Sequence, residues 1–293
     1  MANPSASLPQ SPQPRPSYAI RKILVAHDGS PASENALQDA IDIAHEFHAE
    51  IVLARVELPG DDYSSTNLAA GKLETISDLD QIRKNLSKQG LKSHILTRTG
   101  LVGDTLFDIS HKERGDILML GAYGHGRRDR HTLGSTAEHL LRSIPCPALT
   151  YGPEAQPGLM DRLKSGRAIL VPTPMPCAHC DLEFAAQIAT LFNSPVELLH
   201  VIQGPHTPRI RSKLEKACRD LARGLQKQGV KACCTIFFGV PEVFIHAVAV
   251  ERNTPLILMP LQRRDRLSSI TSDNVAAQII RRSRVPVMSY RLD

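Results

Sequence analysis

A glycine-rich segment, GAYGHGRRDRHTLGST, joins the apolar run DILML to the helical pattern AEHLLRSI. Two residues separate Gly121 from Gly124, nine more separate Gly124 from Gly134, and Ser135 and Thr136 follow at the helix start. Glycine allows backbone amides to approach phosphate oxygens closely, and the first N–H groups of a helix attract anions. This spacing is therefore typical of a phosphate-binding loop, although glycines at strand ends also serve simple tight turns.

A carboxylate follows the first apolar run, KILVAH, at Asp28. In an open α/β sheet, ligands bind at the carboxyl ends of the strands, so Asp28 is expected across the same crevice as the glycine loop. There it could accept hydrogen bonds from the adenosine end of a nucleotide. Because Gly, Ser and Pro come next, the alternative that Asp28 only caps a helix stays open.

The elements that would position these residues occur twice. Apolar runs alternate with amphipathic helical patterns, which predicts βαβ crossovers and a parallel sheet. LSKQGLKS around Gly90 returns as LQKQGVKA around Gly229, and IPCPALTY around Pro147 returns as RVPVMSY around Pro286 at the same offset. Each unit is predicted to have five strands with helices on both faces of the sheet.

Length and composition support two soluble cores. The 293 residues are 42% hydrophobic and 22% charged, which is typical of globular domains. We predict a disordered tail at 1–18, one domain at 19–152, a linker at 153–166 and a second domain at 167–293. A net charge of +5, dispersed along the chain, argues against nucleic-acid binding, and no apolar run is long enough for a membrane span. A cytoplasmic location is expected.

These motifs resemble the universal stress protein family. The glycine segment matches that family's G-2x-G-9x-G-[S/T] signature of ATP binding, ILVAHDGSPASENAL resembles its opening strand and helix, and PCPALTYG its closing strand. The resemblance implies a Rossmann-like, adenine-nucleotide α-hydrolase-like fold that holds ATP, AMP or ADP, with or without Mg²⁺. The implied contacts, carried over by motif position, are Ala26, Asp28, Val56, Leu120, Gly121, Tyr123, Gly124, Gly134, Ser135 and Thr136.

The second unit lacks the signature. The repeat places Pro260, Arg263 and Asp273 where the three glycines of the signature stand, and aligns Thr173 with Asp28. A degenerate second domain and one adenine nucleotide per chain are therefore expected. The family also commonly pairs the final strands of two domains, which here implies an intramolecular pseudo-dimer that could form a homodimer.

The six cysteines are expected to be reduced thiols, because the chain has no signal-peptide pattern. Cys177 and Cys180 form a C-x-x-C with His200 as the best third ligand for zinc. Since a second thiol pair is not suitably placed, no metal site is predicted, and His200 is read as structural.

The function that these features favour is an ATP-binding switch or sensor in a stress response, whose protein partners the sequence does not identify. Two alternatives remain open. One is a weak ATPase or nucleotidyl-transfer enzyme that uses the same loop. The other is a metal or redox sensor in the second domain, at Cys177 and Cys180.

Overall fold

The computed structural model of the chain describes residues 18–58, 78–123, 137, 145–175, 182–205, 207–261 and 275–291. The first unit contains β1 Lys22–Ala26, α1 Pro31–Phe47, β2 Glu50–Glu57, α2 at 78–88, β3 Ser93–Thr99, α3 Val102–Glu113, β4 Ile117–Gly121 and β5 Ala148–Tyr151. The remainder contains α4 Leu159–Lys164, β6 Ile169–Pro172, α5 Glu183–Leu191, β7 Val196–Ile202, α6 Pro208–Lys227, β8 Ala232–Phe238, α7 Pro241–Glu251, β9 Ile257–Leu261, α8 Val275–Arg282 and β10 Val287–Arg291.

All ten of these strands lie in one sheet, in the order β3-β2-β1-β4-β5-β10-β9-β6-β7-β8. Strands within each unit are parallel, whereas β5 and β10 pair antiparallel, with Leu149 opposite Met288. The prediction of two five-stranded parallel sheets joined by their final strands is confirmed. This junction leaves only β3 and β8 as edges, so the two strands that each unit alone would expose cover one another.

Helices cover both faces of the sheet because the inner strands are apolar on both sides. Ile23 and Val25 of β1 pack under α1, while Leu24 between them faces the opposite layer. One layer contains α1, α2, α4, α5 and α6. The other contains α3, α7 and α8.

The start of α1 follows the sequence prediction. Ser30 caps the helix by accepting a 3.3 Å hydrogen bond from the Ser33 amide, and Pro31 takes the first helical position. The cap fixes where the chain turns from the end of β1 into the helix.

The segment 153–166, predicted as a linker, contains helix α4 and packs against α1. Oδ1 of the buried Asp39 accepts hydrogen bonds from the amides of Gly158 and Leu159, at 2.6 and 3.0 Å. Leu159 and Leu163 are themselves buried. The connection between the units is therefore fixed to the first unit.

Tyr18, the last residue of the predicted tail, packs edge-on against Phe184 of α5, with ring centroids 5.3 Å apart. Its hydroxyl donates to the backbone carbonyl of Asp116. Residue 18 therefore bridges the two units. The rest of the predicted tail lies outside the described residues.

Two cysteines lie side by side in the second unit. Cys218 of α6 and Cys234 of β8 have Cα atoms 5.8 Å apart, a separation that a disulfide can bridge, and the expectation of reduced thiols stays a prediction. Cys146 and Cys233 are free thiols. Burial, chiefly, raises the pKa of Cys146 to about 12, which keeps it protonated.

Among the described residues, no helix has both the length and the apolar character to cross a membrane.

Candidate functional site

The strand order of the first unit reverses between β1 and β4, which makes this pair of strands a topological switch point. From β1 the chain goes to β2 on one side, and β4 later returns on the other side. Ala26 pairs with Ala54 of β2 and with Leu120 of β4, so the carboxyl ends of all three strands lie at one edge. Crevices at such switch points are where open α/β sheets bind ligands.

The crevice has small residues at its centre. Ala26 ends β1, and Gly121 and Ala122 end β4 beside it. The amide of Ala122 donates to the Tyr151 carbonyl at 2.8 Å, which holds the chain as it leaves β4. Small residues therefore end both strands at the switch point.

Asp28 lies above the end of β1 and is partly exposed. Its Oδ1 accepts a 3.0 Å hydrogen bond from the Ser30 amide, so the carboxylate is oriented by the turn that leads into α1. The helix cap itself is Ser30. Asp28 is therefore not the cap residue itself; its bond to Ser30 supports the turn into α1, and its contact with a ligand stays a prediction.

His27 is a site residue that the sequence analysis missed. It is buried beside Asp28, and its Nε2 lies 2.9 Å from Oε1 of Glu34 in α1. Nδ1 has no hydrogen-bond partner among the described residues. The sequence signal for His27 was its position as a polar residue between the apolar strand β1 and the carboxylate of Asp28. The contact between His27 and Glu34 holds the first turn of α1 against the end of β1.

Gly121 is glycine because α1 approaches β4 closely. A Cβ atom at this position would lie 2.9 Å from Cβ of Ala32 and 3.1 Å from the amide nitrogen of Ser33. The first turn of α1 therefore sits directly against the end of β4, next to the crevice.

Three further predicted contacts lie on the face that α3 covers. Val56 and Tyr123 are partly buried there, together with Ala26. Leu120 is only 2% exposed, so its side chain belongs to the core and only its backbone borders the crevice. The four predicted residues of the phosphate loop, Gly124, Gly134, Ser135 and Thr136, lie outside the described residues.

Comparisons with known proteins follow the same division of the chain. The universal stress protein family model matches residues 19–151 and again 166–291. This chain belongs to the universal stress protein family. Its tandem arrangement is thereby shown.

Two curated relatives have similar sequences. Universal stress protein MJ0531 of Methanocaldococcus jannaschii is 29% identical over 136 residues, which cover 44% of this chain and 80% of the relative. Universal stress protein Slr1230 of Synechocystis is 23% identical over 211 residues, which cover 71% of this chain and 69% of the relative.

Solved structures share the two-unit fold. A universal stress protein from Archaeoglobus fulgidus superposes with a TM-score of 0.72 at 19% identity, over 93% of this chain and 98% of that one. A universal stress protein from Pseudomonas aeruginosa superposes with a TM-score of 0.65 at 18% identity, over 93% of this chain and 94% of that one. At this level of identity the likeness shows the fold.

The second domain of this universal stress protein has prolines at three key positions of the crevice. Strand register aligns Pro172 with Ala26 and Pro260 with Gly121. Thr173, like His27, donates its amide to the neighbouring strand, so the residue that aligns with Asp28 is Pro174. The alignment of Thr173 with Asp28 is therefore wrong by one residue, because the sequence from Thr173 to Ala189 is one residue shorter than the equivalent sequence from His27 to Ala44.

These prolines change the crevice physically. The Leu170 amide donates to Leu256, but Pro172, the next residue on that side of β6, has no N–H for β9. The register between β6 and β9 accordingly contains only Leu170 opposite Ile257, against four pairs between β1 and β4. In the part of the second crevice that the structure describes, a proline thus stands at the position of the Asp28 carboxylate and the strand pairing is shorter than in the first.

His200 has the structural role that the sequence predicted. It is buried, and its Nδ1 lies 2.8 Å from the carbonyl of Thr173, so Nδ1 carries the proton. Burial lowers the pKa of His200 below its ordinary value, and the bond to Thr173 opposes this in part. The described residues contain no cluster of three metal-ligating side chains, and Cys177 and Cys180 lie outside them.

Proposed function

We propose that the first domain binds one adenine nucleotide, ATP or its products AMP and ADP, and that the protein acts as a nucleotide-dependent switch or sensor in a stress response. The observation that carries the proposal is the switch point between β1 and β4, with the partly exposed Asp28 two residues after the end of β1. The universal stress family membership of the chain supports the same ligand.

The residues of the crevice fit this ligand. The ends of β1 and β4 carry the small residues Ala26, Gly121 and Ala122, which suit the close approach of a ribose and its phosphates. The Asp28 carboxylate is an acceptor that suits ribose hydroxyls. The glycine segment that begins at Gly121 would hold the phosphates with its amides and with Ser135 and Thr136. Mg²⁺ would be held through the phosphates.

The second domain is proposed as a scaffold. Pro172 and Pro260 remove two backbone donors from its crevice, and Pro174 replaces the carboxylate. β5 and β10 join the domains into one sheet, and Asp39 holds the connecting segment. A conformational change that nucleotide binding causes in the first domain would therefore be transmitted to the second domain through these contacts.

The experiment is equilibrium titration with ATP of the wild type, of Asp28→Asn and of a matched control. Asp80→Asn changes an exposed carboxylate on α2 whose partner among the described residues is Arg83 of its own helix, at 3.4 Å. We expect Asp28→Asn to weaken binding about tenfold, since it removes a charged acceptor worth about 1.5 kcal/mol or more. Unchanged affinity in Asp28→Asn would contradict the assigned role of the carboxylate.

A further inference from the structure

Arg98 lies at the carboxyl end of β3, next to the predicted contact Val56. The two residues are directly opposite in the β2–β3 register. Leu96 faces the layer that contains α3 and Val102, and Arg98, two residues later, faces the same way. Val56, Ala26 and Tyr123 belong to that same face, so the guanidinium shares it with the proposed nucleotide contacts.

The side chain of Arg98 is exposed, and its described hydrogen bond is local: Nη1 donates to the carbonyl of Thr97 at 2.9 Å. A guanidinium has five N–H donors and two flat faces, so this bond leaves most of its binding capacity available to a ligand. The exposure also means that its replacement should leave the core intact.

The corresponding position in the second domain has the opposite character. There Phe237 stands opposite Val201, as Arg98 stands opposite Val56. Its ring stacks on Phe244 of α7, with centroids 5.1 Å apart, and packs into the apolar layer. The second domain thus has two stacked aromatic rings at the position where the first domain has an exposed cation.

The order of the strands decides which end of a nucleotide Arg98 would meet. A ligand whose phosphates lie at the loop after β4 must cross β1 and β2 before it reaches β3. Three strand spacings amount to about 14 Å. The base, which is the end of a nucleotide farthest from its terminal phosphate, therefore reaches the side of the crevice where Val56 and Arg98 lie.

We propose that Arg98 binds the purine base of the nucleotide by stacking its guanidinium plane on the ring, and that Phe237 and Phe244 block the same position in the second domain. The inference rests on the proposed nucleotide function and adds the residue that recognises the base. Arginine is well suited to this contact, because its planar cation stacks on π systems and is weakly hydrated.

The test is ATP titration of the wild type, Arg98→Ala, Arg98→Lys and the control Arg21→Ala. Arg21 is exposed and lies just before β1, at the opposite edge of the sheet. We expect Arg98→Ala to weaken ATP binding about 3- to 30-fold and Arg21→Ala to leave it unchanged. Arg98→Lys keeps the charge without the plane, so we expect it to bind at least about threefold more weakly than the wild type.

The outcomes separate this inference from the function on which it rests. If the wild type does not bind ATP, the proposed function fails and this inference fails with it. If the wild type binds and Arg98→Ala matches Arg21→Ala, the role of Arg98 is overturned while the proposed function stands. If Arg98→Ala weakens binding but Arg98→Lys binds like the wild type, charge alone accounts for the contact, and stacking is overturned.

Discussion

The hydroxyl of Tyr151, on β5, donates a 2.5 Å hydrogen bond to Oδ2 of Asp39, on α1, and both side chains are buried. The other oxygen of Asp39 accepts from the Gly158 and Leu159 amides. Burial and the neighbouring Asp39 carboxylate raise the pKa of Tyr151 well above its ordinary value, so the phenol remains a donor. One carboxylate thus joins a core strand, a helix and the connection between the domains.

Removal of this carboxylate should destabilise the protein strongly. Asp39→Ala leaves two buried donors and one partly buried donor without their acceptor, at a cost of about 3 kcal/mol or more in the free energy of unfolding. Tyr151→Phe removes one hydrogen bond and should cost about 1.5–3 kcal/mol. Urea unfolding measures both. A loss below about 1 kcal/mol for Asp39→Ala would contradict the assigned role.

The close contact between α1 and β4 predicts opposite effects for two glycine substitutions. Gly121→Ala places a Cβ against Ala32 and Ser33, so we expect a loss of about 1–3 kcal/mol in stability. Gly224, in the last turn of α6, has nothing within 4 Å of a built Cβ, and Gly224→Ala should stabilise by about 0.5 kcal/mol.

Urea unfolding of the two glycine variants under identical conditions tests this contact. If Gly121→Ala were as stable as the wild type, the first turn of α1 could not lie against the end of β4. The crevice between β1 and β4 would then have a different shape from the one described.

The buried His200 predicts a pH dependence of stability. Burial lowers its pKa in the folded state, so the unfolded chain takes up the proton at higher pH, near 6.5. The free energy of unfolding should therefore fall as pH drops below about 6.5, and the loss should stop below the folded-state pKa. His200→Asn removes this contribution.

The measurement is urea unfolding at pH 7.5 and at pH 5.0. We expect the wild type to lose more stability between the two values than His200→Asn does. Equal losses in both proteins would show that His200 is not buried in its neutral form.

Much of the fold could be read from the sequence because its signals are local and repeated. Apolar runs marked the strands, Ser30 and Pro31 marked a helix start, and the repeat indicated that β5 and β10 are equivalent edges. The pairing of those edges followed from the family resemblance, and the structure adds that the pairing is antiparallel. The carboxyl-end position of Asp28 also followed, since it needed only the strand that precedes it.

What the sequence did not reveal depends on contacts between distant residues. Asp39 and Tyr151 are far apart in the chain, and a buried Asp in an amphipathic helix gives no sign of its partner. Cys218 and Cys234 meet only because α6 lies over β8. The alignment of Pro174 with Asp28 required the strand register. The numbering difference between equivalent residues of the two units changes by one between the first strand and the first helix, and the sequence repeat did not reveal where.

The most direct test of the central claim is the number of adenine nucleotides bound per chain, measured by ATP titration of the wild type and of Gly134→Asp. This substitution copies Asp273, the residue at the corresponding position of the second domain, and places a carboxylate in the proposed phosphate loop. The account predicts one ATP per wild-type chain and none in the variant. Two ATP per chain, or wild-type binding in Gly134→Asp, would contradict a single site in the first domain.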